Sequence, residues 1–496
     1  MRSCARNVAI AAVVIVMPVF LLLPDAVRAG PQAAGRDTAT AASREARQSA
    51  YPARTYASRR DLAPPKITVT KRSRRVSRGY IFLTSRSMVG GQDGPLIVDN
   101  RGRVIWFQPR PGRPSNLHVI KFRGRPHLAW WEGRSFGGYG RGEWIVVDRS
   151  YREVARIRAG NGVQADFHDL EVIGNTAILM SYVAVTRDLS AIGGAPHTGV
   201  LDNVVQEVDL RTGRVLFQWS ALDHIGFSES YRQLPRQPGQ PYDYAHINSL
   251  DVDDDGNLLI SFRRTNSVVK VDRKTGAVIW RLGGKRSTFK MAPGTQFKLQ
   301  HDAVRQADGS ISIFDNGEAP AYKTSRGISL RLDMKTLTAK LRRSNRNPAS
   351  ALSRSQGNFQ SMPHGRFFAG WGSLPNFTEF SRKGRALFNA ALPDKVNSYR
   401  AYRFRWSGRP TTKPAVVVRR RSKGGYRLNV SWNGATGVRS WRLLAGTTPS
   451  KLRPIRYERR ATFETKIDLR TSRKYFAVQA ISAHRRTLAT SKTVTP

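Results

Sequence analysis

The stretch Tyr244–Gly284, YAHINSLDVDDDGNLLISFRRTNSVVKVDRKTGAVIWRLGG, decides the fold. It alternates apolar and polar residues in short runs that break at Asp255-Gly256, at Thr265-Asn266 and at Lys274-Thr275-Gly276. A period of two with turns of that composition predicts three or four antiparallel strands joined by tight turns. His246 stands just before the first strand, and Arg263 and Arg264 end the second.

Fragments of this pattern recur along the chain. An acid, a turn often containing glycine and an alternating apolar run appear as VDNRGRVIWF at Asp99, VDRSYREVARI at Asp148 and VDLRTGRVLFQW at Asp209. They return as VDRKTGAVIWRL at Asp272, RLDMKTLTAKL at Asp333 and FSRKGRALFNA at Ser381, at successive spacings of 49, 61, 63, 61 and 48 residues. Between them falls a second cassette, in which a polar residue enters a strand: SNLHVIKF (His118), DFHDLEVIGNTAILMSY (His168), AHINSLDVDDDGNLLISFR (His246), LQHDAVRQADGSISIFDNG (His301) and GNFQSMPHGRFFAGWG (Gln360). Six copies of a four-strand unit every ~50 to 60 residues predict an all-β, six-bladed β-propeller over residues 66–406. No helical period interrupts the strands, as a βα architecture would require. Trp106, Trp219 and Trp280 are expected as bulky filler between sheets, and the central channel as the site.

Ser407-Gly408-Arg409-Pro410 has hinge composition. Beyond it, residues 410–496 hold about seven short strand patterns, resembling a fibronectin type III-like sandwich with Trp432 and Trp441 in its core. At the other end, Arg2 and Arg6 precede the apolar run Val8–Leu23, and Val27-Arg28-Ala29 places small residues around a cleavage site. Residues 1–29 therefore read as a signal peptide for export to the envelope or medium, with an uncleaved anchor as the alternative. Residues 30–65, rich in Ala, Arg, Ser and Thr without an apolar period, read as a disordered basic linker, with order from Lys66. The single cysteine, Cys4, precedes the apolar run, so the mature chain is expected to have neither disulfide nor thiolate metal site.

The formal charge is +48, and its excess lies at the ends: Ala401–Pro496 alone carries twenty-three Lys or Arg against three acids. This composition suits either plain solubility or attachment to an anionic cell-wall polymer or lipid headgroups. Nucleic acid is not expected, since no RRM, KH or zinc-finger signature is present.

Asp251-Val252-Asp253-Asp254-Asp255-Gly256 imitates the start of an EF-hand loop, but position twelve is Phe262 rather than glutamate, so a hairpin turn is expected and no metal. The histidines are more informative. His168, His246 and His301 hold the same place in successive units, each at the start of an inner strand, while Gln360 takes that place in the last. A buried His-Asp bond that locks a turn is the bland reading; convergence on one channel mouth is the functional one.

HINSLDVDDDGNLLISFR, LQHDAVRQADGSISIFDNG, WRLGG and GWGS, in that order, resemble the bacterial arylsulfate sulfotransferases, in particular their exported, actinobacterial-type branch, over roughly Arg78–Trp406. The resemblance implies sulfuryl transfer from a phenolic sulfate to a phenol without a nucleotide donor or other cofactor, through a sulfohistidine. It implies His301 as the nucleophile, His246 as a second channel histidine, Arg263 (or, one residue on, Arg264) as the arginine that ends the following strand, and His168 as a third histidine. Neutral imidazole is a competent nucleophile, and an arginine suits the oxygens that gain charge as the bond to phenolate breaks. A non-catalytic exported propeller that binds an envelope polymer is the alternative. A quinone-cofactor dehydrogenase lacks its vicinal cysteines here.

Overall fold

In the computed structural model, which describes residues 51–496 other than 238, the Tyr244–Gly284 stretch forms four antiparallel strands, Ile247–Val252, Leu258–Phe262, Ser267–Val271 and Val278–Gly283. The repeating acid is explained by its turn. Asp272 Oδ1 accepts the backbone N–H groups of Lys274 (2.9 Å) and Thr275 (2.8 Å), and Gly276 takes φ +78° to close the loop. The same Asx turn forms at Asp209 and at Asp333, and these bonds hold all three carboxyls below their ordinary pKa.

Six such sheets lie between Tyr80 and Phe404. Their innermost strands, Ala401–Phe404, Ser115–Phe122, Leu170–Ile173, Ile247–Val252, His301–Arg305 and Asn358–Met362, touch one another in that order and return to the first, closing a ring. Closure comes from the chain's own distant parts: Ala401–Phe404 pairs antiparallel with Tyr80–Ser87, and Thr68–Arg72 adds to the outer edge of the sheet ending in Ala386–Ala391.

Apolar alternation packs each sheet on the next. Ile178, Met180 and Val205 of one sheet meet Leu250, Leu258 and Ile260 of its neighbour, all 2 % exposed or less. Fully burying each such side chain is worth about 1.5–3 kcal/mol. Trp106, Trp219 and Trp280 sit in these inter-sheet layers as expected. After Trp406 come a three-stranded and a four-stranded sheet packed face to face on Leu428, Val430, Trp441, Ile467, Phe476 and Val478.

One expectation fails. Residues 51–65, read as part of a disordered linker, are folded onto both units: Tyr51, Leu62 and Ala63 are buried, and Ala53 bridges to Pro65. Ser58 hydroxyl donates to Glu464, and its oxygen meets that of Ser431, 2.7 Å away. Low mean hydropathy hid a strap that is held by polar side chains of distant strands. The signal-peptide reading and residues 30–50 lie outside the described residues. No helix among the described residues is long and apolar enough to cross a membrane.

Candidate active site

At one end of the ring the inner strands begin beside a cavity of about 590 Å³. His168, His246, Arg263 and His301 all line it. His301 opens its strand, His246 immediately precedes its own with φ +56°, and Arg263 follows Leu258–Phe262 in a turn. Gln360 does not share this place. It lies mid-strand with His118 in a second cavity at the opposite end, and Gln356 lines the first cavity instead. Gln356 and Gln360 are four residues apart, roughly 13 Å along an extended strand, which carries Gln360 away from the first mouth.

The two cavities are separated by a buried plug. Arg400 donates two 2.9 Å bonds to Asp169 and lies 3.5 Å from Asp302. These aspartates directly follow His168 and His301, so each His-Asp pair serves two purposes: imidazole to one mouth, carboxylate to the arginine. Above the plug, the Tyr399 ring lies against His168 (5.5 Å between centroids) and His301 (6.3 Å). Burial pushes the Tyr399 phenol upward, so it remains protonated.

Each histidine has its Nδ1 engaged, by partners that differ in kind. His168 Nδ1 donates to Asp166, whose other oxygen accepts the Gly140 N–H. His246 Nδ1 donates to Asp243 at 2.5 Å. His301 Nδ1 instead faces the amide oxygen of Asn316 at 2.7 Å. The Asn316 amide nitrogen is occupied by the carbonyls of Ser353 (2.9 Å) and Gln356 (3.0 Å), so its oxygen must point at His301. Nδ1 therefore carries the proton in all three rings, which leaves each Nε2 an acceptor when the ring is neutral; that of His301 accepts the Gln356 backbone N–H at 3.2 Å.

Burial pushes the His301 pKa well below the ordinary histidine value, and Arg263 adds to the shift. Burial likewise lowers His246 to about 4, against the pull of Asp243. Arg263 is lowered to about 10 by burial and by Arg264, which leaves it charged at neutral pH. Its Nη2 donates to the Arg354 carbonyl at 2.8 Å, and its buried Nε has no partner. The set can hold an anion, offer one neutral nucleophilic nitrogen and move protons through two carboxylate-backed imidazoles. Asp166, Asp243 and Asn316 were not singled out in the sequence. The two aspartates lie only two and three residues before their histidines, but no repeat marks them, and Asn316 comes from across a hairpin.

The EF-hand-like run forms a turn whose carboxylates are engaged by protein cations: Asp253 pairs with Arg305 and Lys270, and Asp255 with Lys270. Among the described residues no group of three or more His, Cys, Asp or Glu could hold a metal ion.

The family model described as arylsulfotransferase (ASST) matches residues 118–392, which include His168, His246, Arg263 and His301. No curated protein matches the chain. Similar solved structures include a protein of unknown function from Bacteroides caccae, at 12 % identity and TM-score 0.40 over 66 % of this chain and 100 % of that one. A protein from Lactobacillus plantarum follows at 11 % identity and TM-score 0.35 over 79 % and 100 %. Virginiamycin B lyase from Staphylococcus aureus matches at 8 % identity and TM-score 0.30 over 74 % and 95 %.

Proposed function

The chain belongs to the arylsulfotransferase (ASST) family, and from that premise we propose that it is an aryl-sulfate sulfotransferase working through a sulfohistidine on His301. The observation that carries the reading is the unequal backing of the three imidazoles: amide behind His301, carboxylate behind His168 and His246. A nucleophile must stay neutral; burial and Arg263 keep His301 so, and an amide stabilises its imidazolium less than a carboxylate would. Groups that carry protons profit from a carboxylate that stabilises the imidazolium.

In the first half-reaction His301 Nε2 gives up the Gln356 N–H and attacks sulfur as the bond from sulfur to the aryl oxygen breaks. The electron pair leaves on the phenolate, which takes a proton from His246 or His168. Arg263 meets the sulfuryl oxygens, whose negative charge counters the repulsion among the cationic groups and draws the histidines toward protonation. In the second half-reaction the acceptor phenol returns its proton to the same histidine. Its oxygen then attacks sulfur, and the S–N bond breaks back to neutral His301. No cofactor enters this scheme.

The six sheets are read as the blades of a six-bladed β-propeller over residues 66–406, and residues 410–496 as a fibronectin type III-like sandwich. Residues 1–29 are read as a signal peptide for an exported enzyme. A cleft of the sandwich lined by Arg419, Arg420, Arg421, Lys423, Arg427 and Lys466 favours a second, tethering role toward an anionic envelope polymer or lipid headgroup.

The test mixes purified protein with a chromogenic aryl sulfate and a range of phenols and follows phenolate release. Acceptor-dependent release, lost in His301→Ala, together with a sulfuryl adduct on the peptide containing His301, supports the reading. Release without acceptor points to a sulfatase. No release from folded protein leaves a binding propeller.

A further inference from the structure

The cavity carries more positive charge than sulfuryl transfer needs. Arg86, Arg113, Arg232, Arg263 and Arg264 line it, and its one lining carboxylate, Asp243, is committed to His246. Among the described residues none of these five guanidinium groups has an ion-pair partner within 4.0 Å. A cluster of like charges beside low-dielectric walls is unfavourable unless a ligand neutralises it.

Two of the five are held next to one another by the backbone. The Tyr231 N–H donates to the Arg264 carbonyl at 2.8 Å, and the Arg264 N–H donates to Ala245, the residue before His246, at 2.8 Å. Arg232, the neighbour of Tyr231, is fixed by its N–H on Ser230 Oγ (3.1 Å) and by its carbonyl, which accepts the Tyr242 hydroxyl (2.8 Å). Arg264 Nε is buried without a hydrogen-bond partner. Burial lowers the Arg264 pKa, and the like charge of Arg232 lowers it further. Arg86 and Arg113, on the other side, have Asp93 near enough to interact with both, as Arg232 and Arg264 have Asp243, but Asp243 is already bonded to His246. Phe136 and Tyr139 also line the cavity as an aromatic wall, in which Tyr139 stacks on Phe136 (5.6 Å) and, behind it, on Tyr182 (5.1 Å).

We propose that Arg232 and Arg264 form a second anion subsite beside the sulfuryl-transfer centre, which selects aryl substrates carrying a further anionic group on the ring. This rests on the sulfotransferase reading. Arg263 and the histidines take the sulfuryl group, the aromatic wall takes the ring, and the Arg232–Arg264 pair takes a carboxylate, sulfate or phosphate on the same molecule. Planar guanidinium groups bind such oxyanions in two-point fashion.

The experiment compares kcat/KM for 4-sulfooxybenzoate with that for its methyl ester, in the full-length protein and in Arg232→Met, Arg264→Met and the double variant. The expected result is a carboxylate-over-ester preference that falls at least about tenfold in the double variant. Comparing the ratio of the two donors between wild type and variants cancels the difference in their leaving groups. A ratio that is the same in wild type and double variant overturns the subsite. Calorimetric binding of 4-sulfobenzoate against benzenesulfonate reads the subsite without turnover. If neither donor reacts but 4-sulfobenzoate binds at least about tenfold tighter, and this preference vanishes in Arg232→Met, the subsite stands and the transferase reading falls. Equal binding of the two sulfonates overturns the subsite whether or not the protein turns over. Arg232→Met leaves the buried Nε of Arg264 in place, so it also serves should Arg264→Met fail to fold.

Discussion

The amide oxygen of Asn316 lies 2.7 Å from Nδ1 of His301, whereas the two neighbouring histidines turn the same nitrogen to aspartates. Asn316→Asp tests what this difference does. A carboxylate at that place favours imidazolium, so the His301 pKa, now held well below the ordinary value, moves up. Protonated His301 cannot attack sulfur. The acid limb of kcat/KM is therefore expected to lie below the usual histidine range in wild type and to move toward neutrality in the variant, with a deficit that grows as pH falls. A pH–rate profile with one donor checks it; coincident acid limbs would remove Asn316 from the chemistry.

Asp243→Asn should separate proton transfer from nucleophilic attack. Without the carboxylate, imidazolium at His246 loses its nearest stabilising charge, and its pKa falls from an already depressed value of about 4. General acid–base help is typically worth about 10²–10⁴-fold. That loss should appear with donors whose phenolate is basic and should fade with 4-nitrophenyl sulfate, whose leaving group needs no proton. Rates across a series of substituted phenyl sulfates give the slope, which should be steeper in the variant. An unchanged slope with a uniform loss would make Asp243 a structural residue only.

Arg400 is the one cation placed between the ring's inner carboxylates, 2 % exposed, with bonds to Asp169 and a contact to Asp302. Arg400→Met leaves those carboxylates buried without their partner, a change that costs about 3–5 kcal/mol. The pH dependence has a definite sign. Burial already raises Asp302, and raises the nearby Asp251 to about 7, so both bind protons more readily in the folded state than in the unfolded chain. Such groups favour folding at low pH and lose that contribution as pH rises through the folded-state pKa. Loss of Arg400, which holds Asp302 down, raises the Asp302 pKa further. The stability deficit in urea denaturation should therefore be largest above pH 7 and shrink as pH is lowered.

These predictions also show which features a linear reading reaches. The acid of each turn cassette was visible because an Asx turn involves residues two and three apart, as Asp272 does with Lys274 and Thr275. The convergence of His168, His246 and His301 was visible because repetition of a sheet repeats the place of its first residue. What stayed hidden depends on contacts across the ring. Asn316 reaches His301 from the next strand, Arg400 reaches Asp169 from 231 residues away, and Ser58 reaches Glu464 from 406. No local period records such pairs. Gln360 was misplaced for a related reason: a displacement by an even number of residues preserves the alternation, and only the neighbouring strand fixes which residue stands at which mouth.

The last prediction concerns the join between the ring and the C-terminal sheets. Tyr151 stacks on Trp106 (4.6 Å), donates its hydroxyl proton to the Gly434 carbonyl (2.8 Å) and accepts the Trp406 indole N–H (3.0 Å). Asn433 beside it exchanges two side-chain bonds with the Phe107 backbone, at 3.1 and 2.8 Å. A Cβ on Gly434 would lie 2.2 Å from the Tyr151 ring, and the residue takes φ +86°, which side chains disfavour. Gly434→Ala must therefore push the sandwich off Tyr151, at about 1–3 kcal/mol from overpacking and backbone strain together. Each unit keeps its own apolar core, so the loss should fall on their docking rather than on either fold. Calorimetry should then resolve one cooperative transition in wild type and two in the variant, and limited proteolysis should cut the variant first near Ser407–Pro410. A single transition lowered as a whole would instead mean that the sandwich and the ring fold as one unit, with the 51–65 strap, held by Glu464, able to keep them joined without Tyr151.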